Sequence, residues 1–196
     1  MSLKDNLINA LVSPPVRWVN FMHQNRGIAP IVFYRLAADV HGGKVKTKVD
    51  SGIQGRTAYY DPASNTVIAS GHDFGTTYWD EKALLIHESA HAILDTIYAG
   101  RDMDGKRSPM KVVDDEIMGY LAGALYLVAA KASGASRSGP EREALKIARS
   151  RLNPDQPWDG CLTFKFTPVE LQPLRAAIHS DPMYKADADH TAAHDG

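Results

Sequence analysis

Apolar residues in the first forty positions recur at helical spacing. Leu3, Leu7, Ile8 and Leu11 form one stripe and Ser13-Pro14-Pro15 interrupts it; residues 16–23 resume it, and residues 28–40 form a third that Gly42-Gly43 ends. The period then changes to two. Residues 45–49 and 56–60 alternate polar and apolar positions, residues 61–65 are a turn cluster, and residues 66–70 favour strand. A small antiparallel sheet is the expectation there. Asp80 is a predicted N-cap for a helix reaching about Tyr98, with Glu81 in its first turn and Gly100 just past its end. Its apolar stripe is Ile86, Ala90, Ile93 and Ile97. A polar loop over residues 101–109 precedes a second long helix over residues 112–131, rich in Ala and Leu.

Residues 133–139 read as a flexible link and residues 140–152 as a charged amphipathic helix. Thr167-Pro168-Val169-Glu170 is a capping box with proline at the first helical position, opening a last helix to about His179. The Ala-, Asp- and His-rich tail, residues 182–196, is expected to fray. Without a repeat or a linker separating two cores, the chain reads as one α+β domain over residues 1–196. Its core is expected over about 44–132, with helical flanks at 1–41 and 140–180.

Composition narrows the function classes. With 196 residues, 44% hydrophobic and 23% charged, the chain can bury one core without covalent staples. A net charge of -1 lacks the basic footprint of a nucleic-acid binder. The single cysteine, Cys161, allows no intrachain disulfide and no cysteine-rich metal knuckle. No apolar run approaches the ~18 residues of a membrane span. The acidic start around Asp5 does not resemble a signal peptide, so a protein cytoplasmic as made, or exported without a cleavable signal, is expected.

The candidate chemistry lies in His87-Glu88-Ser89-Ala90-His91. Helix positions four apart lie about 40° from each other one turn along, so both imidazoles project from one face and can share a metal ion. Glu88 falls about 100° round from His87, beside the ligands rather than among them, where it can serve a water as general base. The motif pattern His-x-x-Gly-x-x-His does not continue, because positions 94 and 97 are Leu and Ile.

A third ligand is needed, and Glu116 at the start of the next helix is the first choice. It shares a small, partly polar face with Tyr120 and Gly123. Asp115, beside Gly119 and Ala122, is the runner-up, and Asp114 faces the apolar Ile117, Met118 and Leu121. Asp114 and Asp115 are otherwise expected as solvated groups favoured by the helix dipole.

At these residues the chain resembles the gluzincin metallopeptidases, and in layout the small bacterial proteases typified by ImmA/IrrE. There a strand pair leads into an HExxH helix, and a second, Ala-rich helix donates a glutamate. The resemblance covers roughly residues 57–130 and implies a zincin-like fold with His87, His91 and Glu116 on Zn2+ and Glu88 as base. The expected activity is therefore a zinc-dependent hydrolase cleaving a protein or peptide, as a toxin, an effector or a regulatory protease. The alternatives are a catalytically silent zinc-binding module and an amidohydrolase acting on a non-peptide or cell-wall amide. Glu88 weighs against the silent module, which has no use for a base.

Further candidates are less determined. Asp95 continues the histidine face, either to orient a ligand or to meet solvent. Tyr120, His72, Tyr78 and His179 are eligible oxyanion donors, Tyr120 being the named candidate. Residues 66–70 form either an edge strand on which a peptide docks or an interior strand. The stretch 159–163 around Cys161 resembles a peptide deformylase motif but follows the HExxH segment instead of preceding it, and reads as a decoy.

Overall fold

The structure, a computed structural model, describes residues 1–132, 138–153, 155 and 163–192. Among these, six α-helices and two small three-stranded mixed sheets make an α+β fold. Helix α1 (Leu3–Leu11) begins at a capping box in which Ser2 and Asp5 satisfy each other's backbone donors. The helix expected over residues 16–23 does not form. The two prolines lead only into a short 3-10 turn, Pro14–Trp18, and the chain then enters strand β1 (Phe21–His23). Gln24 and Asn25, with φ of 46° and 56°, reverse it into β2 (Arg26–Ile28). Two consecutive left-handed residues make a two-residue hairpin matched to strand twist, which overrides the helical spacing of the side chains. A further strand unexpected from sequence, β6 (Phe164–Lys165), pairs parallel to β1 on its other side. Helix α2 (Pro30–His41) follows the hairpin.

The second sheet contains β3 (Lys46–Val49), β4 (Ala58–Asp61) and β5 (Thr66–Ala69) in the order β3-β5-β4. It is mixed rather than antiparallel, since β5 runs parallel to β3 and antiparallel to β4. Burial explains why β5 takes the centre: all four of its residues are buried, whereas β3 alternates with solvent. Residues 66–69 are therefore an interior strand.

Helix α3 (Trp79–Ile93) carries the histidine pair. Tyr78 is its N-cap, so Asp80 lies inside the first turn with Glu81, where both favour the helix dipole. A π-helical turn, Leu94–Tyr98, extends it, and left-handed Ala99 and Gly100 stop it. Ile86, Ala90 and Ile93 are fully buried, as the apolar stripe requires.

Helix α4 (Val112–Ala129) packs against α3 with Gly119 opposite His87 and Gly123 opposite Ala83, so the two helices run antiparallel. A Cβ at Gly123 would lie 2.9 Å from the Ala83 carbonyl oxygen, so the glycine permits this close approach. Helices α5 (Gly139–Arg151) and α6 (Pro168–Ser180) begin at capping boxes, Ser138 with Glu141 and Thr167 with Glu170.

Residues 188–192 lie back along the chain before α4. The carbonyls of His190 and Ala188 accept the N–H groups of Val112 and Val113, and Ala192 donates to Met110. Helix starts have donors without intrahelical partners, and this segment supplies acceptors for two of them. Ala188 is buried against the core.

Candidate metal centre

His87 and His91 project from one face of α3 toward the first turns of α4, their ring centroids 4.9 Å apart. Glu116 reaches between them from α4. Its Oε2 lies 3.4 Å from His87 Nε2 and its Oε1 lies 3.7 Å from His91 Nε2. One ligand atom from each of the three residues falls within 4.8 Å of the others, a grouping compatible with a metal ion. The donor set fits such an ion on a second ground. Glu116 Oε2 is buried and makes no well-formed hydrogen bond within the described residues, its approach to His87 Nε2 being a long 3.4 Å, which is costly for a carboxylate that holds no ion. The helix face facing this group is hollowed by Gly119, whose missing Cβ makes room for the His87 ring.

Glu88 is buried beside this trio. Its Oε2 accepts the backbone N–H of Tyr60 in β4 at 2.8 Å, while its Oε1 lies 4.0 Å from His87 Nε2. The strand thus holds one oxygen and leaves the other toward the histidines. Burial pushes the Glu88 carboxyl up, against the pull of His87 and His91. Burial also opposes ionisation of Glu116, but His91 and His87 outweigh it and hold Glu116 below the usual carboxylate range. Two neighbouring carboxyls are therefore driven apart, Glu116 toward a permanent anion and Glu88 toward a group that takes up protons.

Asp114 and Asp115 are not solvated. Asp115 Oδ1 lies 3.0 Å from His91 Nδ1, leaving His91 Nε2 for the Glu116 side of the site. Burial opposes a charged His91, yet Asp115 and Glu116 overcome it and push the imidazole up to about 10. Asp114 turns the other way and is buried between His23, whose Nε2 is 3.0 Å from Oδ1, and Arg175. Asp95, fully buried, accepts a hydrogen bond of 2.6 Å from the Tyr60 hydroxyl, fastening β4 to α3 instead of meeting solvent.

No family model, curated protein or solved structure matches this chain. The chemistry of the site therefore rests on its own geometry.

The trio opens into a cleft of about 740 Å³ lined by β4, α3, α4, α5 and the segment after α6. Of the four eligible oxyanion donors, Tyr120 lines the cleft, its ring edge-on to that of His87 at 4.7 Å. His72, Tyr78 and His179 do not line it. A residue outside the sequence expectations joins Tyr120: the Tyr184 hydroxyl lies 3.2 Å from the Tyr120 hydroxyl. Burial raises the pKa of both phenols, so both remain hydrogen-bond donors across the neutral range. No local pattern marks Tyr184 in the sequence, because its place depends on how the tail docks. The strand at the cleft is β4, not residues 66–69. Cys161 lies outside the described residues.

Proposed function

We propose that this protein is a zinc-dependent hydrolase of the zincin type that cleaves peptide bonds. The observation that carries the reading is Glu88. It is a buried carboxylate outside the His87, His91 and Glu116 trio, anchored through one oxygen by a strand amide and open at the other. A purely structural metal site gains nothing from such a group. The order of elements, a strand pair followed by the histidine helix and then the glutamate helix, agrees with the gluzincin resemblance.

Zinc held by His87, His91 and Glu116 would supply a Lewis acid and a water acidic enough to ionise near neutral pH. Glu88 Oε1 takes the proton of the attacking water and returns it to the departing amine nitrogen as the C–N bond breaks. The phenols of Tyr120 and Tyr184 donate to the carbonyl oxygen as negative charge gathers there. The outer edge of β4 borders the cleft at Ala58 and Tyr60, so an extended substrate can lie along it, with the Tyr60 N–H already held by Glu88.

Elemental analysis tests the metal and turnover tests the base. Wild-type protein should hold about one zinc per chain, and His87→Ala should lose most of it. Glu88→Gln should keep zinc while hydrolysis of a fluorogenic peptide library falls by roughly 10²–10⁴. Unchanged turnover in Glu88→Gln removes the base role, and full zinc in His87→Ala removes the ligand assignment.

A further inference from the structure

Tyr60 meets the histidine helix and its extension at two places. Its backbone N–H donates to Glu88 Oε2 at 2.8 Å, and its hydroxyl lies 2.6 Å from Asp95 Oδ2 and 2.8 Å from Asn65 Oδ1. A phenol has one hydrogen, and the shorter contact to an anionic acceptor claims it for Asp95. Asp95 is 1% exposed and lies in the π-helical turn that follows α3, a departure from α-helical spacing that is frequent at functional sites. The residue 60 amide owes nothing to the sheet. The Thr57 carbonyl accepts from Ser70, so by the period of two Thr57, Tyr59 and Asp61 turn their main-chain groups toward β5, and Ala58 and Tyr60 turn theirs away. On that outer side the hydroxyl bond to Asp95 ties residue 60 to the helix. Asp95 and Asn65 do not line the cleft, so this tie lies behind the cleft wall.

We infer that Tyr60 and Asp95 are positioning residues for Glu88. The buried bond between phenol and carboxylate sets β4 against the helix, and the strand amide then holds Glu88 Oε2 so that Oε1 is left toward the histidines. The inference rests on reading Glu88 as the general base, and it adds what aims that base. A glutamate side chain has several staggered rotamers, and an error of about 1 Å in a reacting group can cost roughly 10²-fold in rate. A carboxylate with one oxygen fixed by a strand has little of that freedom. The links can be broken one at a time. Tyr60→Phe removes the hydroxyl and leaves the residue 60 amide and every bond to β5 in place. Asp95→Asn keeps an oxygen that can accept from the phenol, whereas Asp95→Leu removes it at similar volume.

The test uses full-length, zinc-supplemented protein and two readouts. Amide hydrogen exchange followed by NMR reports residue 60, with Tyr59 and Asp61 on the same strand as controls. Steady-state hydrolysis uses the best-cleaved member of a fluorogenic peptide library. In the wild type the residue 60 amide should be protected although it lies on an outer strand edge, and Glu88→Ala should expose it, which identifies the acceptor. Tyr60→Phe and Asp95→Leu should each lower its protection by about tenfold, the loss of one hydrogen bond, with residues 59 and 61 and the zinc content unchanged. In both variants kcat should fall by about tenfold with KM within about twofold, and Asp95→Asn should retain wild-type protection and kcat. Should Asp95→Leu not fold, Tyr60→Phe and Asp95→Asn still decide. Equal loss of protection at residues 59, 60 and 61 makes the pair a scaffold only and overturns the proposal. Zinc lost with the hydroxyl overturns it too, as does a residue 60 amide that stays protected in Tyr60→Phe. Exchange needs no turnover, so it judges the positioning even where no peptide is cleaved. The expected exchange pattern together with wild-type turnover in Glu88→Gln overturns the base role alone.

Discussion

A methyl group added at Gly119 would stand 2.7 Å from His87 Nε2, 2.8 Å from Cδ2 and 2.9 Å from Cε1. No methyl can occupy that space while the imidazole keeps its place, so the ring would swing away from Glu116. Gly119→Ala should therefore weaken zinc binding by about 10–100-fold, the range seen when a ligand histidine loses its orientation, with the helical circular dichroism unchanged. Chelator competition measures it, and wild-type affinity would show that the ring is free to relocate. The adjacent acids should separate in the same assay. Asp115→Ala should cost a similar factor in zinc affinity by releasing His91 Nδ1. Asp114→Ala should leave affinity alone and lower stability by about 3 kcal/mol, because His23 and Arg175 lose their shared buried partner. At this scale the grouping of His87, His91 and Glu116 was legible, since an i,i+4 pair on a helix and an acidic first turn on the next are local patterns. The divergence of Asp114 from Asp115 was not. Which neighbour meets His91 is set by how α3 crosses α4, and no short stretch of sequence encodes that crossing.

Among the elements, legibility followed cooperativity with neighbours. Helices α3 to α6 announce themselves because each has an apolar stripe, a cap or a capping box of its own. The β1–β2 hairpin does not, because Gln24-Asn25 lacks the glycine that usually marks such a turn, and β1 becomes a strand only by pairing with β2 and β6. The same holds for the segment after α6. Its composition is that of a loose end, yet it caps α4 and carries Tyr184 to Tyr120. Ending the chain after Ser180 removes two backbone bonds to the α4 start, at about 1 kcal/mol each. The thermal midpoint should then fall by about 4–8 °C, while zinc content stays near one per chain because every proposed ligand remains. An unchanged midpoint would mean that the docked tail adds no stability, and zinc lost along with the tail would make it part of the centre's support.

For the whole molecule, the α+β class and the pairing of a histidine helix with a glutamate helix followed from the alternation of period-two and period-3.6 segments. The sheet order and the second sheet followed from long-range pairing that no segment specifies. The same long-range packing couples the centre to global stability through His91. In the metal-free protein Asp115 and Glu116, against burial, raise its pKa from the ordinary imidazole value of 6.5 to about 10. A group whose folded pKa lies above its unfolded one contributes stability that is complete below the unfolded value and lost as pH rises through the folded value. Metal-free protein should accordingly lose stability between about pH 6.5 and pH 10. Glu88, raised by burial, pulls in the same direction, whereas Glu116 and Asp114, both lowered, titrate in acid and stay constant across this window. Zinc binding requires a neutral imidazole, so affinity should rise over the same interval in which metal-free stability declines. Urea melts at half-unit pH steps, with chelator and with saturating zinc, compare the two forms. The chelated protein should weaken by on the order of a few kcal/mol across the window, and Asp115→Asn should flatten most of that slope. A chelated protein with level stability from pH 6.5 to pH 10 would show that Asp115 and Glu116 do not hold a proton on His91, leaving the imidazole neutral before any metal arrives.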